Sequence, residues 1–229
     1  MGRWAGTMGR TGGIALVTGG LLLAGSGLAG AATPSSVVQV PDLAGYHFTA
    51  GTSVTSLTVK GSITMPAVTC GTNGGVFVPE VEVRYYVGTN LETASASFGI
   101  TCVSGIAIYG HPSLQVDAKT KQGSQQLAAG DTVGITVKIS AAGGSVQVAD
   151  SSAGSSTLAG TGGQPSDVRY AVVLPSPPAY NPVKFTDCKV NGQNLASYNP
   201  DGWDAVNDSG QITGELSAIS GGTAFTVSP

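Results

Sequence analysis

Apolar and polar residues alternate with a period of two along most of the chain, and runs with a helical period are almost absent. Over residues 53–65 the apolar positions are Val54, Leu57, Val59, Ile63 and Met65, with Ser, Thr and Lys between them, and Pro66 ends the run. Over residues 76–87, Val81, Val83 and Tyr85 fall on one side and Glu80, Glu82 and Arg84 on the other. Successive side chains of a strand point to opposite faces, so one side of this strand packs inward while the other is wet or lines a groove. The clearest hairpin covers residues 131–150. Val133, Ile135, Val137 and Ile139 alternate with Thr and Lys, Ala142-Gly143-Gly144 forms the expected turn, and Val146 and Val148 lie on the return strand. Residues 151–163 read as a loop or a weak edge strand. Residues 168–174 read as a strongly apolar strand closed by Pro175, Pro177 and Pro178. Short strands are expected at 183–185, 205–206, 212 and 224–227. Strands of this length, separated by Gly, Pro, Asn and Ser clusters, predict an all-β domain of two packed antiparallel sheets.

The first 32 residues change this picture only by adding a leader. Arg3 and Arg10 give a positive start, residues 14–28 are apolar, and Ala29-Gly30-Ala31 supplies the small residues a signal peptidase accepts. The expectation is a secretory signal over residues 1–32 and one β-sandwich domain over residues 33–229, secreted to the extracellular space. A membrane anchor is disfavoured because the apolar run is glycine-rich and lacks a long Leu, Ile or Phe core. Loss of Arg3 and Arg10 takes Lys and Arg from 10 to 8 against 13 Asp and Glu, a balance of −5. No basic cluster occurs, so nucleic acid and anionic membrane surfaces are excluded as expected partners. Charged residues are 10% of the chain, against roughly 25% in an ordinary soluble domain. There are three cysteines, Cys70, Cys102 and Cys188. Export permits a disulfide, and one thiol must then stay free or pair between chains.

Candidate chemistry is sparse. No Cys-x-x-Cys pattern and no Gly-x-Ser-x-Gly elbow occurs in the mature chain, and neither a metal nor a cofactor is expected. His47 and His111 are the two histidines, and each is expected to serve structure or sit at the surface unless a partner positions it. Glu80 and Glu82 share one strand face. They stand side by side rather than across a cleft, which disfavours glycoside chemistry. Asp201, Asp204 and Asp208 offer oxygen ligands, but their spacing does not fit a calcium loop, and Asx turns are the expected role. Asn207-Asp208-Ser209 is a glycosylation sequon.

The order of several short segments resembles the glutamic peptidases, the eqolisins. Asp42-Leu43-Ala44-Gly45-Tyr46 stands for a Trp-Ala-Gly-Tyr-like opening. Met65-Pro66-Ala67-Val68 follows a strand, as a Val-Pro-Ala-Val-like segment does in the family. Tyr86-Val87-Gly88 matches Trp-Val-Gly, and residues 128–133 match the family's hairpin opening. Residues 185–192 and 222–227 match its late segments. The resemblance covers nearly all of the mature chain in order. It implies a concanavalin-like sandwich of two antiparallel sheets with a substrate groove on one concave face. It also implies a Cys70–Cys102 disulfide. Cys188 then lacks a partner and is expected to act as a small buried apolar side chain.

In the family a glutamine and a glutamate on adjacent strands activate water and stabilise the oxyanion. The resemblance places Ser97 at the glutamine and Arg169 at the glutamate. Arginine stays protonated and cannot act as a general base. No Gln lies within residues 91–102 and no Glu within 164–174. Asp167 is the nearby carboxylate that could substitute as a base. Leu43 replaces the opening tryptophan and residues 109–116 replace an aromatic strand, so most groove aromatics are expected to be missing. Glu80, Glu82, Tyr86, Tyr109 and His111 are the candidate groove residues. The leading expectation is a non-catalytic protein that binds a peptide, glycan or cell-wall ligand in the former substrate groove, with Arg169 supplying positive charge. The alternatives are an acid-acting endopeptidase using Asp167, Glu80 or Glu82, and an unrelated carbohydrate-binding sandwich module.

Overall fold

The structure is a computed structural model that describes residues 32–229 apart from 35, 73 and 151–153. The expected leader therefore lies outside the described residues, Ala32 excepted. The first sheet runs in the order β1 (Val37–Pro41), β18 (Asp201–Val206), β2 (Leu43–Thr49), β14 (Gln164–Ser176) and β5 (Gly75–Val87). Along β5 lie β6 (Asn90–Ser97) and β7 (Ile100–Val103) in one continuous register. Beyond β6 come β9 (Ser113–Val116) and β10 (Lys119–Gln122), and beyond β7 comes β8 (Ile106–Tyr109). The second sheet is ordered β13 (Gly154–Gly160), β12 (Gly143–Asp150), β11 (Thr132–Ser140), β3 (Ser56–Thr64), β16 (Val183–Val190) and β20 (Phe225–Ser228), with β17 (Gln193–Asn194) hairpinned on β16. One strand, β19 (Ile212–Leu216), pairs with β18 in the first sheet and β20 in the second, closing one edge of the sandwich. A small ladder joins β4 (Val68–Thr69) to β15 (Ala179–Tyr180).

Alternation explains the core. On β5, Phe77, Val81, Val83 and Tyr85 are fully buried while Glu80, Glu82 and Arg84 between them are part-exposed. The facing strands β3 and β11 bury Val59, Ile63, Val137 and Ile139. Tyr170 crosses the gap between the sheets. From β14 its hydroxyl is shared between the carbonyl oxygens of Lys60 (2.7 Å) on β3 and Lys189 (3.1 Å) on β16. Gly61 gives the ring room, because a Cβ there would come within 2.9 Å of Tyr170 Cε1.

Several local expectations are corrected. The hairpin turn is Ala141-Ala142, while Gly143 and Gly144 already pair in β12. Pro175 does not end its strand, since β14 extends from Gln164 to Ser176. Pro165 borders one register shift against β5 and Pro175 lies within another, the kind of irregularity where a strand accommodates proline. The part of residues 151–163 that is described contains a true edge strand, β13. Not every pair is antiparallel, because β1 joins β18 in parallel. The strand expected at 205–206 begins earlier, at Asp201, where Asx turns were expected, while Asn207 Oδ1 does organise an Asx turn by accepting from Ser209 N and Gln211 N.

The Cys70–Cys102 disulfide is present, with Cα atoms 5.4 Å apart. Cys188 is free and fully buried, and burial pushes its thiol pKa up. An interchain disulfide through Cys188 is therefore sterically closed in this fold. Two outcomes are expected in urea titrations. Tyr170→Phe should cost about 1–2 kcal/mol by removing the phenol from buried carbonyls. Gly61→Ala should cost about 1–3 kcal/mol by overpacking the same ring.

Candidate functional site

The outward face of the first sheet carries the polar cluster, and strand register sets its rows. Residues directly opposite on antiparallel strands share a face. One row reads Asp201, His47, Arg169, Glu82, Ser95 and Gln115 across β18, β2, β14, β5, β6 and β9. The adjacent row reads Trp203, Gly45, Ala171, Glu80, Ser97 and Ser113. Ser97 and Arg169 thus lie on one sheet and one face, but not on neighbouring strands. β5 stands between them, separating β6 from β14 by about 10 Å.

The charges are tightly arranged. Glu82 Oε1 accepts a hydrogen bond from Arg84 Nε at 2.7 Å and forms an ion pair with Arg169 Nη1 at 3.3 Å. The Arg169 guanidinium carbon lies 5.5 Å from the centroid of the Trp203 ring, a cation–π distance. His47 stacks on the same ring, 4.8 Å between centroids. Arg169 therefore stands in contact with Glu82 and Trp203 rather than as an open cation, and it shares that carboxylate with Arg84. Arg169 Nε is buried without a hydrogen-bond partner.

The carboxylates differ in availability. Burial alone would raise the pKa of Asp167. Hydrogen bonds from Ser166, His47 and Thr49 outweigh it and hold the carboxyl below its ordinary range. An ionised Asp167 can only accept, so His47 Nε2, 3.0 Å away, carries the shared proton. Such a carboxylate is a poor base. Glu80 is the opposite case. Desolvation, reinforced by the charge of Glu82, pushes its carboxyl up to about 7 against the pull of Arg169 and Arg84. It forms no hydrogen bond or ion pair with any described residue. Among the carboxyls of this face it has the base strength suited to proton transfer near neutral pH.

The other candidate residues are dispersed. Tyr86 continues the row parity of Glu80 and Glu82 at the far end of β5 and is 44% exposed. Tyr109 lies on the inner side, paired with buried Ile100, and its hydroxyl donates to Pro66 O at 2.7 Å. Its role is to tie β8 to the segment after β3. His111 sits in the turn between β8 and β9, where its Nδ1 is buried without a partner. Leu43 does occupy the outward face, opposite Val173. Trp203 and His47 were not foreseen as site residues. Trp203 belongs to a segment whose Asp, Asn and Gly content hides a strand, and its approach to Arg169 depends on β18 pairing with β2. No three His, Cys, Asp or Glu side chains among the described residues converge as metal ligands.

No family model matches the sequence, and no curated protein matches it significantly. Solved structures do match its shape. Scytalidoglutamic peptidase bound to a transition-state analogue inhibitor aligns with a TM-score of 0.63 at 16% identity, over 83% of this chain and 99% of its own. The same enzyme with a peptide-based analogue aligns equally well at 15% identity. Aspergilloglutamic peptidase from Aspergillus niger aligns with a TM-score of 0.51 at 19% identity, over 66% of this chain and 98% of its own. The fold is that of the glutamic peptidases. The likeness is one of architecture, and it agrees with the two-sheet sandwich expected from alternation.

Glu80 yields a pH prediction. Its folded-state pKa is raised to about 7, so between the ordinary carboxyl range and pH 7 the folded protein retains a proton that the unfolded chain releases. The contribution of this group to stability falls as pH rises through that window. Glu80→Gln should therefore stabilise the protein at pH 8, on the order of 1–3 kcal/mol, and change little near pH 4. Urea melts of both proteins at the two pH values check this.

Proposed function

We propose that this is an exported protein with the glutamic-peptidase fold whose outward face on the first sheet binds a ligand without hydrolysing it. The observation that carries the reading is the Arg169–Glu82 ion pair. At the position that resembles the family's catalytic glutamate there is a cation, and the carboxylate beside it is engaged by that cation and by Arg84. Glu82 Oε1 is engaged by both guanidiniums, so it is not free to receive a proton from water. Ser97, at the position resembling the family's glutamine, has a side chain too short to replace an amide donor at the same place. The disulfide supports export, since such bonds persist in oxidising compartments.

A second reading rests on Glu80. Its near-neutral carboxyl stands directly opposite Ser97, so a water held between the two could be activated there, making the protein a peptidase with a rearranged site. Asp167, hydrogen-bonded and with a lowered pKa, is the weaker choice for that base.

Incubation of the purified mature protein with denatured casein from pH 2 to pH 8 separates the readings. No cleavage is expected. Cleavage abolished by Glu80→Gln would establish the rearranged peptidase and overturn the non-catalytic reading. The double change Ser97→Gln, Arg169→Glu is not expected to create activity by itself, because it places a third carboxylate beside Glu80 and Glu82 while leaving Arg84 as the sole guanidinium in the cluster.

A further inference from the structure

Among the central charges of the outward face, three carboxyls (Glu80, Glu82, Asp167) meet two guanidiniums (Arg84, Arg169). Both guanidiniums are committed to Glu82, and Asp167 is satisfied by His47, Thr49 and Ser166. Glu80 is left part-buried, on the open side of the sheet, with no internal cation in contact. Arg169 and Arg84 act on this carboxylate only through space, and an external cation in contact with it would supply the counter-ion that the fold does not.

The surface beside Glu80 has a definite shape. The floor is made of small residues, Ser97 and Ala171 flanking Glu80 and Gly99 continuing along the sheet. A Cβ on Gly99 would meet nothing within 4 Å, so the space above it is open. Toward the start of β5 the same face turns apolar. Val78 follows Glu80 at a spacing of two, and Val76 follows Val78. Val76 is 38% exposed and shares its row with Thr101 and Ile108, and Ile108 is 49% exposed. Val103 (49%) and Ile106 (66%) extend the patch outward. An unpaired acid followed by apolar positions every second residue is the complement of an extended chain, whose side chains on one face recur at the same spacing of about 6.6–7 Å.

We propose that this face takes an extended peptide whose lysine or arginine side chain reaches Glu80 and whose apolar residues, two and four positions away, lie on Val78 and on Val76 with Ile108. The inference rests on the reading of this face as a binding surface and names its ligand. Amino sugars and polyamines supply the cation but not apolar groups at a period of two. They are therefore the competing sources of the same chemistry.

The test uses the mature protein and fluorescent peptides of the form Lys-Ala-Leu-Ala-Leu, in both chain directions, with blocked ends, at pH 8. At least one direction should bind at least tenfold more tightly than its acetyl-lysine counterpart. Glu80→Gln, which keeps the side-chain volume, should abolish that difference. The pair Val76→Ser, Ile108→Ser should abolish the preference for leucine over serine while retaining the preference for free lysine. Equal binding of the acetyl-lysine peptide overturns the proposal. So does binding of spermidine or chitosan oligomers as tight as that of the peptide. Mass spectrometry of the incubated peptides keeps the two readings apart. Cleaved peptide with intact Glu80 dependence refutes the non-hydrolysing function but supports the cation site. Glycan binding without peptide binding refutes the peptide ligand and leaves a binding function standing.

Discussion

The hydrogen bond that Tyr170 makes across the sandwich is the constraint on which the outward face depends. Its hydroxyl is held by carbonyl oxygens on two strands of the opposite sheet, so β14 cannot slide along its neighbours without losing that contact. A strand presents alternate residues to alternate faces, and a slip of one residue would exchange every inward side chain for an outward one. With Tyr170 fixed inward, Asp167, Arg169 and Ala171 are fixed outward, each in a set row against β2 and β5. The exclusion of a side chain at Gly61 belongs to the same arrangement, since the aromatic ring passes where a Cβ would be. A packing event in the core thus decides which charges meet on the surface.

What those charges do follows from unequal competition. Two guanidiniums and two glutamates share a small area, and Glu82 lies in the same row as Arg169 and two residues from Arg84. Glu82 accordingly takes both cations. Glu80, one step along the strand face, feels them only through space while feeling Glu82 as a like charge. Neighbouring identical side chains end with different partners because register, rather than residue type, assigns them. Trp203 adds a further element by covering the guanidinium and stacking His47, so that the cluster is bounded by an aromatic plane on the side of β18.

Much of this was legible in the sequence. The period-two pattern over residues 76–87 placed Glu80, Glu82 and Arg84 together on one face, and the structure has them there. The Cys70–Cys102 pairing implied by the family resemblance is also present. Alternation could not reveal which strands neighbour β5. Local periodicity is identical whether β5 pairs with β14 or with another strand, so the Arg169–Glu82 contact, between residues 87 positions apart in the chain, left no local mark. The polar stretch around Trp203 misled for a related reason. Its Asn, Asp and Gly residues favour turns locally, yet pairing with β1 on one side and β2 on the other holds residues 201–206 extended. Tyr109 lies on the inner parity of Ile100, a placement set by the pairing of β7 with β8 that local periodicity does not carry.

The parallel pairing of β1 with β18 has a kinetic consequence. Val37 and Gly202 are partners, as are Leu43 and Val173 on β2 and β14. A chain synthesised from its N-terminus exposes β1 and β2 long before their neighbours exist, and closing loops of that length precedes any reward from contact. The β11–β12 and β5–β6 hairpins have no such wait. Folding of this domain is therefore expected to begin in its middle, from locally paired strands, and to finish when the last third of the chain returns to complete the sheet that its first strands began.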